Sequence, residues 1–246
     1  MKLGFKVVVG LTLLVVGEMS GVTATAGHMD RNPRLAHARE LMGKYYRKSV
    51  VKKAEHFSTV ESFVKNTTRS SLQGKFRKMS PQVATALLQE ASRYSFDPIF
   101  LMAVIAHESG FNPLAIGTSG EIGLMQIKPD TAEWIADKYD LKYDSAETLK
   151  NPVENIKIGA AYMSFLRERF DSHSRLYLAA YNMGAKNVDR ALDRNVWPRD
   201  YPSAVMNHYI RFYTELNKMP QIVAPSRKKS MMISALVLLI PSLATQ

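Results

Sequence analysis

Five prolines constrain what this chain can fold into. Pro81, Pro98, Pro129, Pro152 and Pro202 each head a segment in which apolar residues recur at helical spacing. Three of them follow a residue that caps helices: Ser80, Asp97 and Asn151. Proline suits the first helical turn, where its missing N–H costs nothing, and it breaks helix interiors and central strands. The stripes that follow are Val83, Leu87, Leu88 and Ala91; Ile99, Leu101, Met102 and Ile105; Trp134 and Ile135; Ile158, Tyr162 and Leu166; and Val205, Tyr209, Phe212 and Leu216. Asn151-Pro152-Val153-Glu154 adds an acid at the third helical position, as in a capping box. Two further helices are expected near residues 175–182 and 185–194. No period-2 pattern interrupts residues 81–220, so the spacing predicts an all-α domain with short loops.

The flanks differ from this centre. Residues 27–80 carry thirteen Lys and Arg against four acids, whereas residues 81–226 carry fifteen against seventeen, so the net charge of +11 resides outside the centre. Lys2 and Lys6 precede an apolar run at 7–16, and Ala24-Thr25-Ala26 supplies small residues for cleavage. That is the layout of an export signal over residues 1–26, with an apolar run shorter than the ~20 residues that span a bilayer. The expected location is therefore exported, in the periplasm or cell envelope. There, a basic segment over 27–80 faces anionic envelope polymers or an anionic membrane surface, and no nucleic acid. Residues 221–246 form a basic and apolar tail. Its apolar stretch, 231–240, could pack on the domain or lie in a membrane interface. The chain has no cysteine, which excludes disulfides, thiolate metal sites and a cysteine nucleophile.

The chemistry centres on Glu108. It follows a strongly apolar segment by one helical turn and precedes a glycine-rich loop with Gly110, Gly117, Gly120 and Gly123. A carboxyl group beside a buried helix face is desolvated, so it keeps its proton near neutral pH and can act as a general acid. A solvated helix end is the other reading of the same position. His107-Glu108 starts like the zinc-protease motif H-E-x-x-H, but Phe111 occupies the second histidine's place and no metal is expected. Ser109 and Ser119 lack the G-x-S-x-G spacing of a nucleophile elbow. The glycines follow no strand, and the loop has no P-loop lysine.

Four segments, "ESGFNPLA" from Glu108, "GLMQIKPDTA" from Gly123, "NPVENIKIGAAYMSFL" from Asn151 and "LAAYNMG" from Leu178, occur in order. Together they resemble the soluble lytic transglycosylase domain, a goose-type-lysozyme-like family that cleaves peptidoglycan, over residues 82–215. The resemblance implies a lysozyme-like helical catalytic domain over 81–220 with a basic helical N-terminal extension over 27–80. It implies Glu108 as the single catalytic acid and base, with no cofactor and no metal. Ser109 completes the E-S motif, Met125 and Gln126 belong to the groove segment, Tyr181 is expected to hydrogen-bond Glu108, and Asn182 to reach substrate. Tyr162 and Tyr209 match further tyrosines near the groove. The implied partners are peptidoglycan glycan strands and, by analogy through residues 27–80, secretion, flagellar or conjugation machinery. Three positions depart from the family pattern: Gly117 replaces a common serine, Glu121 a small residue, and Val205 a glutamate. A lysozyme-type hydrolase of the same fold and a non-catalytic wall-binding protein remain alternatives.

Overall fold

The computed structural model describes residues 32–53 and 57–220. The export signal expected over 1–26 and the apolar tail from 231 lie outside the described residues. Nine α-helices form among those described: α1 (Pro33–Met42), α2 (Phe57–Ser71), α3 (Ser80–Arg93), α4 (Pro98–Glu108), α5 (Pro129–Tyr139), α6 (Pro152–Arg169), α7 (Ser174–Met183), α8 (Ala185–Asp193) and α9 (Asp200–Leu216). Every proline singled out above falls in a first turn. Asp97 and Asn151 accept hydrogen bonds from the backbone N–H groups of Ile99 and Val153, both at 3.0 Å, as caps should. Ser80, by contrast, is not a cap: it is the first residue of α3, Met79 stands at the cap position, and no side chain bonds there. No strand forms among the described residues; the loop between α4 and α5 holds only isolated bridges at Ile116–Ile122 and Ile122–Ile127.

Helix α4 is the hub. Residues 98–105 are all buried, so this helix is apolar around its whole circumference rather than along one stripe. It packs against α2, α3 and α9, while α6 joins α3, α5 and α7. Antiparallel pairing of α4 with α9 is pinned at the N-terminal end of α4 by polar groups. The hydroxyls of Tyr209 and Tyr213 both donate to Asp97 Oδ2, the first at 2.7 Å. Arg34 of α1 donates to Tyr213 at 2.8 Å, and His37 Nδ1 accepts the Asp97 N–H at 3.0 Å. An imidazole that accepts at Nδ1 must carry its proton on Nε2, which faces the Tyr177 hydroxyl at 3.1 Å. Burial first, and Arg167 second, keep that ring neutral by pushing its pKa well below the usual histidine range.

The basic N-terminal region is more than a charged face. Ala38, Leu41, Val60, Phe63, Val64 and Leu72 join the same core as the helices after residue 80. Phe63 meets Phe212 of α9 edge-on at 6.0 Å. Among the described residues, no helix is long and apolar enough to cross a membrane.

One buried side chain shapes the loop after α4. Asn155 of α6 accepts from Met125 N–H at 2.7 Å and donates to the carbonyls of Ile122 and Leu149, each at 2.9 Å. Gly123 sits against it with φ +86°, where a Cβ would lie 2.3 Å from both Asn155 Nδ2 and the Leu149 carbonyl oxygen. Only glycine fits there. Asn155→Ala would strand three buried backbone groups, each worth ~1–3 kcal/mol when unsatisfied, so a loss of roughly 3 kcal/mol is expected. Urea unfolding should show a lower midpoint with an unchanged slope.

Candidate active site

Glu108 ends α4 at the floor of a cleft of about 470 Å³, opposite Glu121, Gln126, Tyr162, Tyr181 and Asn182. Its environment changes its proton affinity strongly. Burial is the main cause and raises the pKa; a hydrogen bond from Tyr201 lowers it, and the Glu121 charge raises it again, to about 7. The negative end of the α4 macrodipole acts in the same upward direction. The Tyr201 hydroxyl, from the first turn of α9, donates to Glu108 Oε1. Tyr201 is held in turn by an edge-on contact with His107 at 4.9 Å.

Glu121 is the second carboxyl in the cleft, and it behaves oppositely. Burial pushes its pKa up, but the N–H groups of Glu121 and Ser119 and the Lys128 ammonium outweigh that and hold it below the usual range. Its Oε2 accepts from Ser119 N–H at 3.0 Å, and Oε1 lies 3.4 Å from Lys128 Nζ. Near neutral pH the cleft therefore pairs a carboxyl half in its acid form with an ionised one, the separation that lets one group donate a proton while another stays charged. Two departures from the family pattern prove to be one. A Cβ on Gly117 would fall 2.4 Å from Glu121 Oε2 and 2.9 Å from Gln126 Oε1. The Glu121 carboxylate occupies the space that a side chain at 117 would need.

The other expected residues divide into two groups. Gln126, Tyr162, Tyr181 and Asn182 line the cleft with Glu108. Gln126 donates to the carbonyls of Ala115 (3.1 Å) and Gly123 (2.9 Å), so its amide nitrogen braces the loop. Tyr162 and Tyr181 face each other at 5.3 Å with an interplanar angle of 37°.

Ser109, Met125 and Tyr209 are placed elsewhere. Ser109 Oγ donates to the Leu124 carbonyl at 2.8 Å, tying the end of α4 to the groove segment. The Met125 side chain is fully buried against Gly159, where a Cβ would come within 2.5 Å of its sulfur; its backbone, not its side chain, serves the site. Tyr209 is fully buried on Asp97, at the far end of α4. The expected bond from Tyr181 to Glu108 is replaced as well. Tyr181 donates to the Met125 carbonyl at 2.8 Å, and Tyr201 takes Glu108. Helical geometry explains the exchange. Tyr201 lies eight residues before Tyr209, about two turns along the same face, and antiparallel packing sets that turn beside Glu108. The Asp200-Tyr201-Pro202 start of α9 was the available signal. Among the described residues, no group of three or more His, Asp or Glu side chains could hold a metal ion.

These features define an all-α domain with a desolvated acid in a polar cleft. Residues 85–202 match the family model of the transglycosylase SLT domain. The chain is 36% identical over 132 residues to membrane-bound lytic murein transglycosylase C of Histophilus somni, covering 47% of this chain and 36% of that protein. It is 44% identical over 77 residues to endo-type membrane-bound lytic murein transglycosylase A of Klebsiella pneumoniae, covering 30% and 37%. Among solved structures, the lytic transglycosylase Slt of Pseudomonas aeruginosa, an inactive glutamate-to-glutamine mutant, superimposes with a TM-score of 0.50 at 29% identity, over 57% of this chain and 25% of that one. The 70 kDa soluble lytic transglycosylase of Escherichia coli shares the fold, with a TM-score of 0.50 at 21% identity, over 74% and 32%. The chain thus spans little more than a third of the length of these relatives at most.

Two outcomes follow from the site. Glu108 binds its proton more tightly folded (about 7) than unfolded (4.5), so its contribution to stability falls as pH rises between those values. Glu108→Gln should stabilise the fold by up to ~3 kcal/mol above pH 8 and by nothing below pH 4, read from urea titrations at both pH values. Gly117→Ser should destabilise alone and be tolerated with Glu121→Ala. A double-mutant cycle should return a coupling on the order of 1 kcal/mol.

Proposed function

We propose that the chain is a peptidoglycan lytic transglycosylase in which Glu108 acts first as acid and then as base. The observation that carries the reading is a carboxyl group buried at a cleft floor, poised near pH 7 and oriented by Tyr201. The relatives' activities support the reaction class, and the glutamate-to-glutamine change in the inactive Pseudomonas enzyme supports a glutamate in the central role.

The Glu108 carboxyl gives its proton to the glycosidic oxygen between N-acetylmuramic acid and N-acetylglucosamine, and the bond from C1 to that oxygen breaks. The 2-acetamido oxygen of the muramyl sugar takes up the electron deficiency at C1. Ionised Glu108 then accepts the proton of the C6 hydroxyl, whose oxygen bonds to C1 as the acetamido oxygen leaves it with its electron pair, regenerating the neutral acetamide and closing a 1,6-anhydro ring. Water is not consumed, and the enzyme returns to its starting protonation. Tyr201 holds the Glu108 carboxyl in one orientation through both steps, while the Glu121 charge favours proton retention before the first and cation formation during it. Gln126 and Asn182 are proposed to contact the sugars.

A lysozyme-type hydrolase is the second reading, favoured by the presence of Glu121 in the cleft. Against it stands the depressed pKa of Glu121, which makes that carboxylate a weak base for activating water. Residues 1–26 are proposed to direct export to the envelope. Exposed Lys44, Arg47, Lys48, Lys52 and Lys53 support contact between the N-terminal region and an anionic envelope surface.

Digestion of purified sacculi followed by mass spectrometry tests the reaction. Muropeptides lighter by one water than reducing ends are expected, with release reduced at least ~10³-fold in Glu108→Gln. Reducing ends would instead establish the hydrolase, and full activity in Glu108→Gln would exclude Glu108 as the acid.

A further inference from the structure

The catalytic cleft continues past its own wall. A second hollow of about 450 Å³ opens beyond Tyr162 and Gly184, which line both spaces. Its character is different: the cleft around Glu108 is polar, whereas this shelf is mainly apolar and built on Trp134 of α5 and Phe165 of α6. Trp134 leaves 44% of its surface exposed. It is nonetheless held firmly, because Phe165 meets it at 4.8 Å with an interplanar angle of 90°. The Lys138 ammonium lies 5.8 Å from the Phe165 ring centre on the shelf's far support. Phe165 is thus a buttress, and the indole is the ring offered to solvent.

Helix geometry links the two spaces. Tyr162 and Phe165 are three residues apart on α6, so they share a face and are separated by about 4.5 Å along the axis. One helix therefore carries an aromatic wall from the acid's cleft out to the shelf. β-1,4-linked pyranoses with equatorial substituents present flat C–H faces and polar rims. A fixed, half-exposed indole next to a polar cleft suits such a face, because it buries the C–H surface while the hydroxyls stay in water.

We infer that the Trp134–Phe165 shelf is a distal sugar subsite for the same glycan strand whose scissile bond lies at Glu108. This rests on the proposed glycan-cleaving function, and it assigns that function a preference for strands long enough to reach Trp134. Continuity through Tyr162 and Gly184 favours a segment of the bound strand over a separate partner.

The chain has two tryptophans, so a Trp197→Phe background leaves Trp134 as the sole indole reporter. In that background with Glu108→Gln, chitohexaose should change the tryptophan emission saturably, and chitobiose should not. In the otherwise unaltered enzyme, Trp134→Ala should raise KM for long glycan strands about tenfold while leaving kcat, and the cleavage of a muropeptide tetrasaccharide, unchanged. Trp134→Phe should restore most of the lost affinity, which a defect in folding would not allow. Calorimetry separates the two levels of the account. Chitohexaose binding with equal affinity to Trp134→Ala and the parent would overturn the subsite while leaving the catalytic reading intact. An emission change with free stem peptide but not with chitohexaose would also overturn it. No binding of chitohexaose to any variant, with no product from sacculi, would overturn both.

Discussion

The site depends on the burial of one end of one helix. Helix α4 is surrounded by apolar neighbours through residues 98–105, and Glu108 follows before the chain can reach open solvent. Desolvation there penalises the carboxylate and raises its proton affinity to about 7. The Glu121 charge adds to that rise and the Tyr201 hydrogen bond opposes it, but burial in the core is the main source of the proton donor, at a cost in stability that the rest of the fold must carry.

Holding that group in place requires α9. The two helices run antiparallel with a carboxylate at each end of α4, and each carboxylate accepts from tyrosine hydroxyls of α9: Asp97 from Tyr209 and Tyr213, Glu108 from Tyr201. These bonds fix the register of α9, and so where Tyr201 stands. Arg34 and His37 of α1 complete the Asp97 cluster, which makes the N-terminal helix part of the scaffold behind the acid. On the opposite wall, Asn155 performs the corresponding task for the loop from Ile122 to Gln126.

Much of this was legible in the residues. First-turn prolines, with capping side chains at α4 and α6, act locally, so α3, α4, α6 and the class of the fold could be read directly, although Ser80 proved to be a helix residue and not a cap. The position of Glu108 at the end of an apolar helix was legible too, but those residues left a solvated helix end equally open, and only the resemblance singled out the acid. What could not be read was set by packing between distant segments. Tyr209 was expected near the groove, but only the pairing of α9 with α4 decides that Tyr201 meets Glu108 while Tyr209 meets Asp97. Met125 belongs to a groove segment, yet its side chain points to Gly159 and its carbonyl to Tyr181. The pairing of Gly117 with Glu121 was hidden for the same reason: each looked like an isolated departure until the loop folded one onto the other. The contribution of residues 32–79 to the core was masked by their charge, since twelve Lys and Arg are interleaved with their apolar residues.

The central claim is that the fold itself makes Glu108 a proton donor near neutral pH. Titration of the side-chain carboxyl carbons by NMR in the intact protein, with Glu108→Gln used to assign the resonance, measures this directly. A midpoint at about 7 for Glu108, with Glu121 titrating below the ordinary carboxylate range, is the expected result. A Glu108 midpoint near 4.5 would mean that water reaches the carboxyl freely, and would contradict the account.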